Sequence, residues 1–216
     1  MAREAGHIYS LNGNDLSGNA VMPVVYTAAE AAAVIGAPVR DVNNLIHKGM
    51  LPNGALRRDG AKRLLRPALI SLKAASATSE VLTAEQRREL ARRIYERPGA
   101  RTVRIGIVSI DVSQLATETR QGLERLARAR SMVASDPEVL GGIPVFKRTR
   151  IPVHDIAAMV ANGESWQDLK KAYPRLTRVQ IELAPLYAKA YPRRGRPRTQ
   201  GKLDRASWKK ISFGDA

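Results

Sequence analysis

The stretch that decides the N-terminal fold runs from Tyr26 to Pro52 and reads YTAAEAAAVIGAPVRDVNNLIHKGMLP. Thr27 and Glu30 have the T-x-x-E spacing of a capping box, in which each side chain bonds the other residue's backbone N–H at the start of a helix. Apolar residues then recur at helical spacing as far as Gly36, a residue type that often ends helices. Pro38 opens a second helical pattern. Two short helices joined by a turn around Gly36 predict a helix-turn-helix.

A basic hairpin pattern follows in residues 56–66, LRRDGAKRLLR, around the turn-forming pair Asp59-Gly60. A helix-turn-helix followed by such a hairpin resembles the small winged-helix domain of the MerR and excisionase proteins, and the resemblance covers residues 25–73. It implies that the second helix enters the major groove of DNA and that the hairpin, or wing, lies on the backbone. The groove-facing residues would be Arg40, Asn43, Asn44, His47 and Lys48, and the wing residues Arg57, Arg58, Lys62 and Arg63. Arg and Asn have the bidentate geometry for guanine and adenine edges. The alternative is a helix pair with a merely solvated polar face.

Residues 74–131 are predicted to connect this domain to the rest of the chain. Thr83 and Gln86 form another capping box and start a helix that Pro98-Gly99 stops. The β-branched alternation of residues 101–112, RTVRIGIVSIDV, predicts one strand, and residues 113–131 return to a helix. Because a single strand needs a partner, we expect it to pair with the following block or with a second copy of the chain.

Residues 132–191 contain an ordered series of turn, X-Pro and helix-capping signals that predicts a second helix-turn-helix-type unit. The order and spacing resemble a small prokaryotic domain family of originally unknown function, typical of VapB-like antitoxins whose toxins are PIN-like ribonucleases. The matching positions are Asp136, Pro137, Gly142, Pro144, Thr149, Arg150, Pro152, Val153, Gly163, Ser165, Tyr173, Pro174, Leu176 and Thr177.

Two residues depart from the pattern of that family. The family has Gly before the Thr-Arg pair, whereas this chain has Arg148, which argues against a tight turn at that point. Pro185 lies inside the last predicted helix and should kink or shorten it, because proline has no N–H to donate.

Residues 192–216 are polar, basic and rich in Pro and Gly, so they do not bury enough apolar surface to fold alone. The resemblance to VapB-type antitoxins implies that this tail orders on the toxin. Candidate toxin-binding residues are Arg193, Arg194, Arg196, Arg198, Trp208 and Phe213. Two further readings of the arginines are open: a minor-groove contact, because RRGRPR is similar to the core of an AT-hook, and a merely solubilising tail.

Charge and residue types limit the function classes. The chain of 216 residues has a formal net charge of +16, and residues 191–216 alone have 8 basic and 2 acidic residues, net +6. Such a field attracts polyanions, nucleic acid above all. No cysteine is present, which suits the cytoplasm and excludes thiolate chemistry. The three histidines are far apart in sequence, and no nucleotide-binding or nucleophile motif appears, so we expect no enzyme, no cofactor and no metal site.

The sequence thus predicts a mainly α chain with small β elements: two helix-turn-helix-type domains and an extended basic tail. The expected segments are a lead-in at 1–24, a winged helix at 25–73, a connector at 74–131, an antitoxin-family domain at 132–191 and a tail at 192–216. We expect a cytoplasmic antitoxin that neutralises a PIN-like ribonuclease toxin and represses its own operon as a homodimer or a larger complex with the toxin. The alternative is a stand-alone transcription regulator without a toxin.

Overall fold

The computed structural model describes residues 24–59 and 61–193. Helices dominate and the strands are short, so the predicted mainly α class with small β elements is confirmed. No helix in these two ranges is long and apolar enough to cross a membrane. The helices are α1 (Ala28–Ile35), α2 (Val39–His47), α3 (Ala68–Ala77), α4 (Ala84–Glu96), α5 (Val112–Ser131), α6 (Val153–Ala161), α7 (Trp166–Ala172) and α8 (Arg178–Ala190). The strands are β1 (Val25–Tyr26), β2 (Leu56–Asp59), β3 (Ala61–Leu65), β4 (Thr102–Ile105), β5 (Val108–Asp111), β6 (Val133–Ala134) and β7 (Val145–Phe146), and a short 3-10 turn spans Leu140–Gly142.

The first two helices and the first three strands form what we call the helix–hairpin unit, residues 25–65. The Thr27–Glu30 capping box is present at the start of α1, and Gly36 ends that helix with a φ of 78°, as predicted. The antiparallel sheet has the order β1-β3-β2, and β2 pairs with β3 as the hairpin pattern indicated. Leu64 of β3 is buried in the same core as the apolar residues of α1 and α2, so the hairpin packs against these helices.

The prediction of a single strand over 101–112 is wrong. β4 and β5 are two strands that pair with each other, with Val103 opposite Ile110 and Ile105 opposite Val108. Gly106 has a φ of 58° and occupies the first position of the two-residue turn, the place where hairpin turns of type II′ use glycine. The apolar alternation changes phase just after this glycine, from positions 103, 105 and 107 to positions 108, 110 and 112, and this shift coincides with the reversal of the chain. Because the two strands pair with each other, the unpaired strand that led us to expect a homodimer does not exist.

The helix α5 crosses α1 at very close range. A Cβ added at Gly122 would lie 2.3 Å from the carbonyl oxygen of Val34. Only glycine permits this approach, because any larger residue would overlap the backbone of α1. The same core receives Leu126 from α5 and Ala190 from α8. The helix–hairpin unit is therefore packed directly on the helices that lead to the C-terminal part of the chain.

Residues 133–190 form a second helical unit around its own core. α6 packs on α8, and buried Phe146, Ile156, Leu169 and Ile181 fill the space between them. The Thr177–Gln180 capping box starts α8, and the helix continues through Pro185 to Ala190, so the proline does not shorten it.

The tight turn that Arg148 argued against is nevertheless present. The backbone N–H of Thr149 donates to the carbonyl oxygen of Phe146 at 3.1 Å. Arg148 itself adopts a φ of 62°, the left-handed region that glycine occupies without strain. Thr149 secures the turn, because its hydroxyl donates to Phe146 O at 2.8 Å and accepts the N–H of Ile151 at 3.1 Å. These bonds hold the turn without the glycine.

One carboxylate joins the two units. Glu30 accepts the N–H of Thr27 at 2.8 Å through Oε2 and the hydroxyl of Tyr191 at 2.8 Å through Oε1. The carbonyl of Tyr191 accepts a bond of 2.8 Å from Nε2 of His154 on α6. Burial, with the Glu30 carboxylate as a second cause, raises the pKa of the Tyr191 phenol. Tyr191 therefore ties the end of α8 to the starts of both α1 and α6.

Candidate nucleic-acid interface

The outer face of α2 carries a stripe of polar side chains. Arg40, Asn43, Asn44 and His47 follow the i, i+3, i+4, i+7 spacing that places residues on one side of a helix, and all four are exposed. Lys48 continues the exposed stripe just beyond the helix end. The opposite side is apolar and buried, through Val42, Leu45 and Ile46. The five groove-facing residues predicted from sequence therefore lie together on an accessible surface, which we call the α2 stripe.

The basic hairpin adds positive charge on the same unit. Arg57 lies opposite Arg63, and Arg58 lies opposite Lys62 in the antiparallel register. Lys62 and Arg63 are exposed and Arg57 is half-buried, whereas the side chain of Arg58 lies outside the described part of the chain. Lys62 and Arg63 thus concentrate exposed positive charge on this hairpin, and such charge attracts polyanions. The hairpin is thus suited to a phosphate backbone.

Two arginines of α4, Arg92 and Arg93, are paired with carboxylates of the same helix. Arg92 bonds Glu89 and Glu96 at 2.7 Å, and Arg93 bonds Glu89 at 2.6 Å. The hydrogen bonds from Arg92 and Arg93 lower the pKa of Glu89 to about 2, so this carboxylate stays charged over the physiological range. The charges of Arg92 and Arg93 are therefore balanced within the helix, and these two arginines offer less to an external polyanion than the composition suggested.

Two basic residues of the C-terminal unit, Lys170 and Arg178, are engaged in its own structure. Lys170 donates to the carbonyl oxygens of Pro174 and Leu176 at 2.6 and 2.7 Å, which fixes the turn before α8. Arg178 lies 4.7 Å above the ring of Trp166 and pairs with Glu182 at 2.6 Å. In the N-terminal unit, by contrast, all five residues of the α2 stripe are exposed.

A deep groove lies between the two units, on the side where the described chain ends. Its volume is about 1020 Å³. Its walls include the start of α1, the loop before β7, the start of α6 and the residues that follow α8. Arg193, one of the predicted toxin-binding residues, lines this groove and forms an ion pair with Asp155. The other predicted toxin-binding residues, Arg194, Arg196, Arg198, Trp208 and Phe213, lie outside the described residues.

Three residues that pack the helix–hairpin unit on α5 and α8 were not recognised from the sequence. Glu30 was read only as a capping residue, and neither Tyr191 nor Gly122 was singled out. An isolated glycine inside a helical pattern is a known sign of close packing, so Gly122 carried a usable signal. Within the described ranges, no three His, Asp or Glu side chains are placed to hold a metal ion.

Comparison with known proteins places this mainly α chain in a family. Residues 133–188 match the family model described as "Protein of unknown function (DUF433)". Over 194 residues the chain is 36% identical to "Uncharacterized protein y4eO" of Sinorhizobium fredii (strain NBRC 101917 / NGR234), which covers 83% of this chain and 87% of the relative. The chain therefore belongs to the family of this rhizobial protein. No solved structure matches it.

Proposed function

We propose that the protein is a DNA-binding regulator whose helix–hairpin unit acts as a winged helix. The α2 stripe carries this proposal, because it combines exposure, helical spacing and base-reading residue types. The major groove of DNA is about 12 Å wide, which admits the thickness of an α-helix. Along its axis, α2 is about 13 Å long, because it has nine residues at 1.5 Å each.

The residue types of the stripe fit base edges in that groove. Arginine pairs with the O6 and N7 atoms of guanine, and asparagine with the N6 and N7 atoms of adenine. Arg40 has a side chain that is 88% exposed, and its nearest carboxylate, on Asp41, is 3.7 Å away. Its guanidinium is therefore available to a base. Lys62 and Arg63 on the hairpin would contact phosphates and add affinity without sequence preference.

We further propose that this regulator is an antitoxin that binds and neutralises a PIN-like ribonuclease toxin and represses its own operon. The match of residues 133–188 to DUF433 and the resemblance of that domain to VapB-like antitoxins support this part. The basic tail would supply the toxin contact. That the protein forms a homodimer stays a prediction. The unpaired strand from which we inferred it is not present, because β4 and β5 pair with each other. The other candidate is a transcription regulator without a toxin, which the α2 stripe supports equally well.

Fluorescence anisotropy on DNA from upstream of the gene tests the DNA-binding part. Arg40→Ala and Asn43→Ala should each weaken binding to the specific site by about 1–3 kcal/mol and relax the preference at one base position. Lys62→Ala should weaken binding to all sequences and reduce the salt slope by about 1. Arg128→Ala, which removes an exposed arginine from α5, is the matched control for Arg40 and should leave sequence preference unchanged. Wild-type affinity and preference in both α2 variants would refute the proposal.

Co-expression with the neighbouring reading frame tests the antitoxin part. The full chain should co-purify with that gene product and protect cells from it. A chain that ends at Tyr191 should still bind DNA but lose this protection, because inhibition would require the tail. Trp208→Ala should weaken the complex mainly through a faster off-rate, as interface changes commonly do. A full chain that binds DNA but neither binds nor neutralises the neighbouring product supports the stand-alone regulator instead.

A further inference from the structure

The groove between the two units is large and mainly apolar. Its volume of about 1020 Å³ is at the upper end of the clefts that enclose drug-sized ligands, about 300–1,000 Å³. Gly141, Gly142, Ile143 and Pro144 form one wall, and Ile143 is 45% exposed. Leu140 stands beside this wall with 47% of its surface exposed. Exposed apolar side chains next to a cleft of this size indicate a surface that a partner covers.

The backbone of this wall is held in an unusual conformation. Leu140, Gly141 and Gly142 have φ values of 51°, 64° and 83°, so three consecutive residues lie in the left-handed region. For leucine this conformation costs about 1–2 kcal/mol. Strained backbone of this kind persists where the surrounding structure holds it, and it concentrates at ligand-binding segments. The loop presents Leu140 and Ile143 outward at this cost.

The chain leaves the described part of the structure along this groove. Tyr191 is fixed by Glu30 on one side and by His154 on the other, each at 2.8 Å. Pro192 and Arg193 then lie on the groove wall, and Arg193 pairs with Asp155 at the start of α6. The first residues after α8 are therefore already bound to the surface that the next residues would have to cover.

We propose that residues 194–216 of the same chain dock in this groove, with Trp208 and Phe213 as the apolar anchors. This segment begins where the groove begins, and it contains Trp208, Ile211 and Phe213 as large apolar side chains. From Arg193 to Trp208 the chain can span about 50 Å at about 3.3–3.6 Å per residue, so its length allows it to turn back into the cleft. Asp155 at the wall already holds Arg193, the residue directly before this segment, and so directs the segment along the groove. The segment before Val24 is the weaker candidate, because Val24 is not part of the groove wall.

This docking does not depend on the proposed function, because it involves only the chain itself. Its consequence for that function is a competition: Trp208 and Phe213 cannot occupy the groove and an external partner at the same time. A partner that binds the tail would have to displace it from the groove first.

Tryptophan fluorescence tests the docking in the full-length protein. The chain has two tryptophans, and Trp166→Phe leaves Trp208 as the only one. In this background we expect blue-shifted emission that acrylamide quenches poorly and that does not change on dilution. Ile143→Asp should shift the emission to longer wavelength and raise the quenching constant. Asp155→Lys, a second variant that reverses the charge at the groove wall, should do the same.

Ile107→Asp is the matched control, because Ile107 is fully exposed at the β4–β5 turn, away from the groove. It should leave the Trp208 emission unchanged, and circular dichroism should show the same helix content in every variant. Solvent-exposed emission in the Trp166→Phe protein would overturn the proposal. So would buried emission that neither groove variant changes, or buried emission that is lost on dilution, which would indicate a second copy instead. Anisotropy on DNA with the same variants keeps this outcome separate from DNA binding, which the groove changes should not affect.

Discussion

The close crossing of α1 and α5 predicts the effect of Gly122→Ala. The new Cβ would lie 2.3 Å from the Val34 carbonyl oxygen, whereas ordinary contacts of a Cβ begin at about 3.4 Å. The two helices would therefore have to separate by about 1.1 Å. The obstructing atom belongs to the backbone, so it cannot rotate away as the end of a flexible side chain would.

The expected loss of stability follows from two opposing effects. Overpacking of a close contact costs about 1–3 kcal/mol. Alanine is the better helix former, which offsets about 1 kcal/mol of this cost. Because the contact is with backbone, we expect the upper half of the remaining range, a net loss of about 1–2 kcal/mol in the free energy of unfolding. The melting temperature should fall by about 2–8 °C, at about 2–4 °C per kcal/mol for a chain of this size.

Urea denaturation followed by circular dichroism measures this difference. Gln121→Ala is the matched control, because Gln121 is the exposed neighbour on the same helix and its change should stay within about 0.5 kcal/mol. An unhindered glycine in a helix would gain about 1 kcal/mol on replacement by alanine. A Gly122→Ala protein as stable as the wild type, or more stable, would refute the close crossing.

Two further predictions concern the C-terminal unit and its link to α1. Arg148→Gly should stabilise the protein by about 0.8 kcal/mol, the difference between the middle values of two opposing effects: it removes a left-handed arginine at about 1–2 kcal/mol and adds the chain entropy of a glycine at about 0.5–1 kcal/mol. A lower urea midpoint at unchanged m would contradict it. Tyr191 has a raised pKa in the folded state, so its contribution is present below its ordinary value of 10.0 and is lost as pH rises through the higher folded value. Stability should therefore fall in the alkaline range, because the phenol ionises in the unfolded chain while it stays protonated beside Glu30 in the folded one, and Tyr191→Phe should make that fall shallower. An identical alkaline limb in both proteins would exclude the role of Tyr191.

Local signals in the sequence correctly predicted the starts of α1, α4 and α8, whereas no signal was recognised for α3 (Ala68–Ala77). The capping boxes at Thr27, Thr83 and Thr177 are all present, because each depends only on a partner three residues along the chain. The α2 stripe followed in the same way from helical spacing. The prediction for the β4–β5 region failed because the run of β-branched residues was read as one strand although its alternation shifts phase between Ile107 and Val108. The isolated Gly106 was a second sign of the reversal there, since glycine inside a strand pattern often marks an irregularity.

The groove lay beyond sequence reasoning for a different reason. Its walls come from three regions that are far apart in the chain, at Thr27–Ala29, Ser135–Asp155 and Ala190–Arg193. No periodicity relates such segments, because their meeting depends on how α1, α5 and α8 pack. The same holds for the bond between Glu30 and Tyr191, whose partners are 161 residues apart.

The shared core of α1, α5 and α8 limits how parts of this protein can be exchanged with those of a relative. In a chimera that takes residues 25–73 from a relative, foreign side chains would pack against Gly122, Leu126 and Tyr191. The imported residue 30 would also have to be a carboxylate that accepts the hydroxyl of Tyr191. A chimera that keeps this packing therefore takes residues 30, 122 and 191 from the same parent. Redesign of the outer surface is simpler, because the exposed positions 40, 43, 44 and 47 can be varied without touching that set.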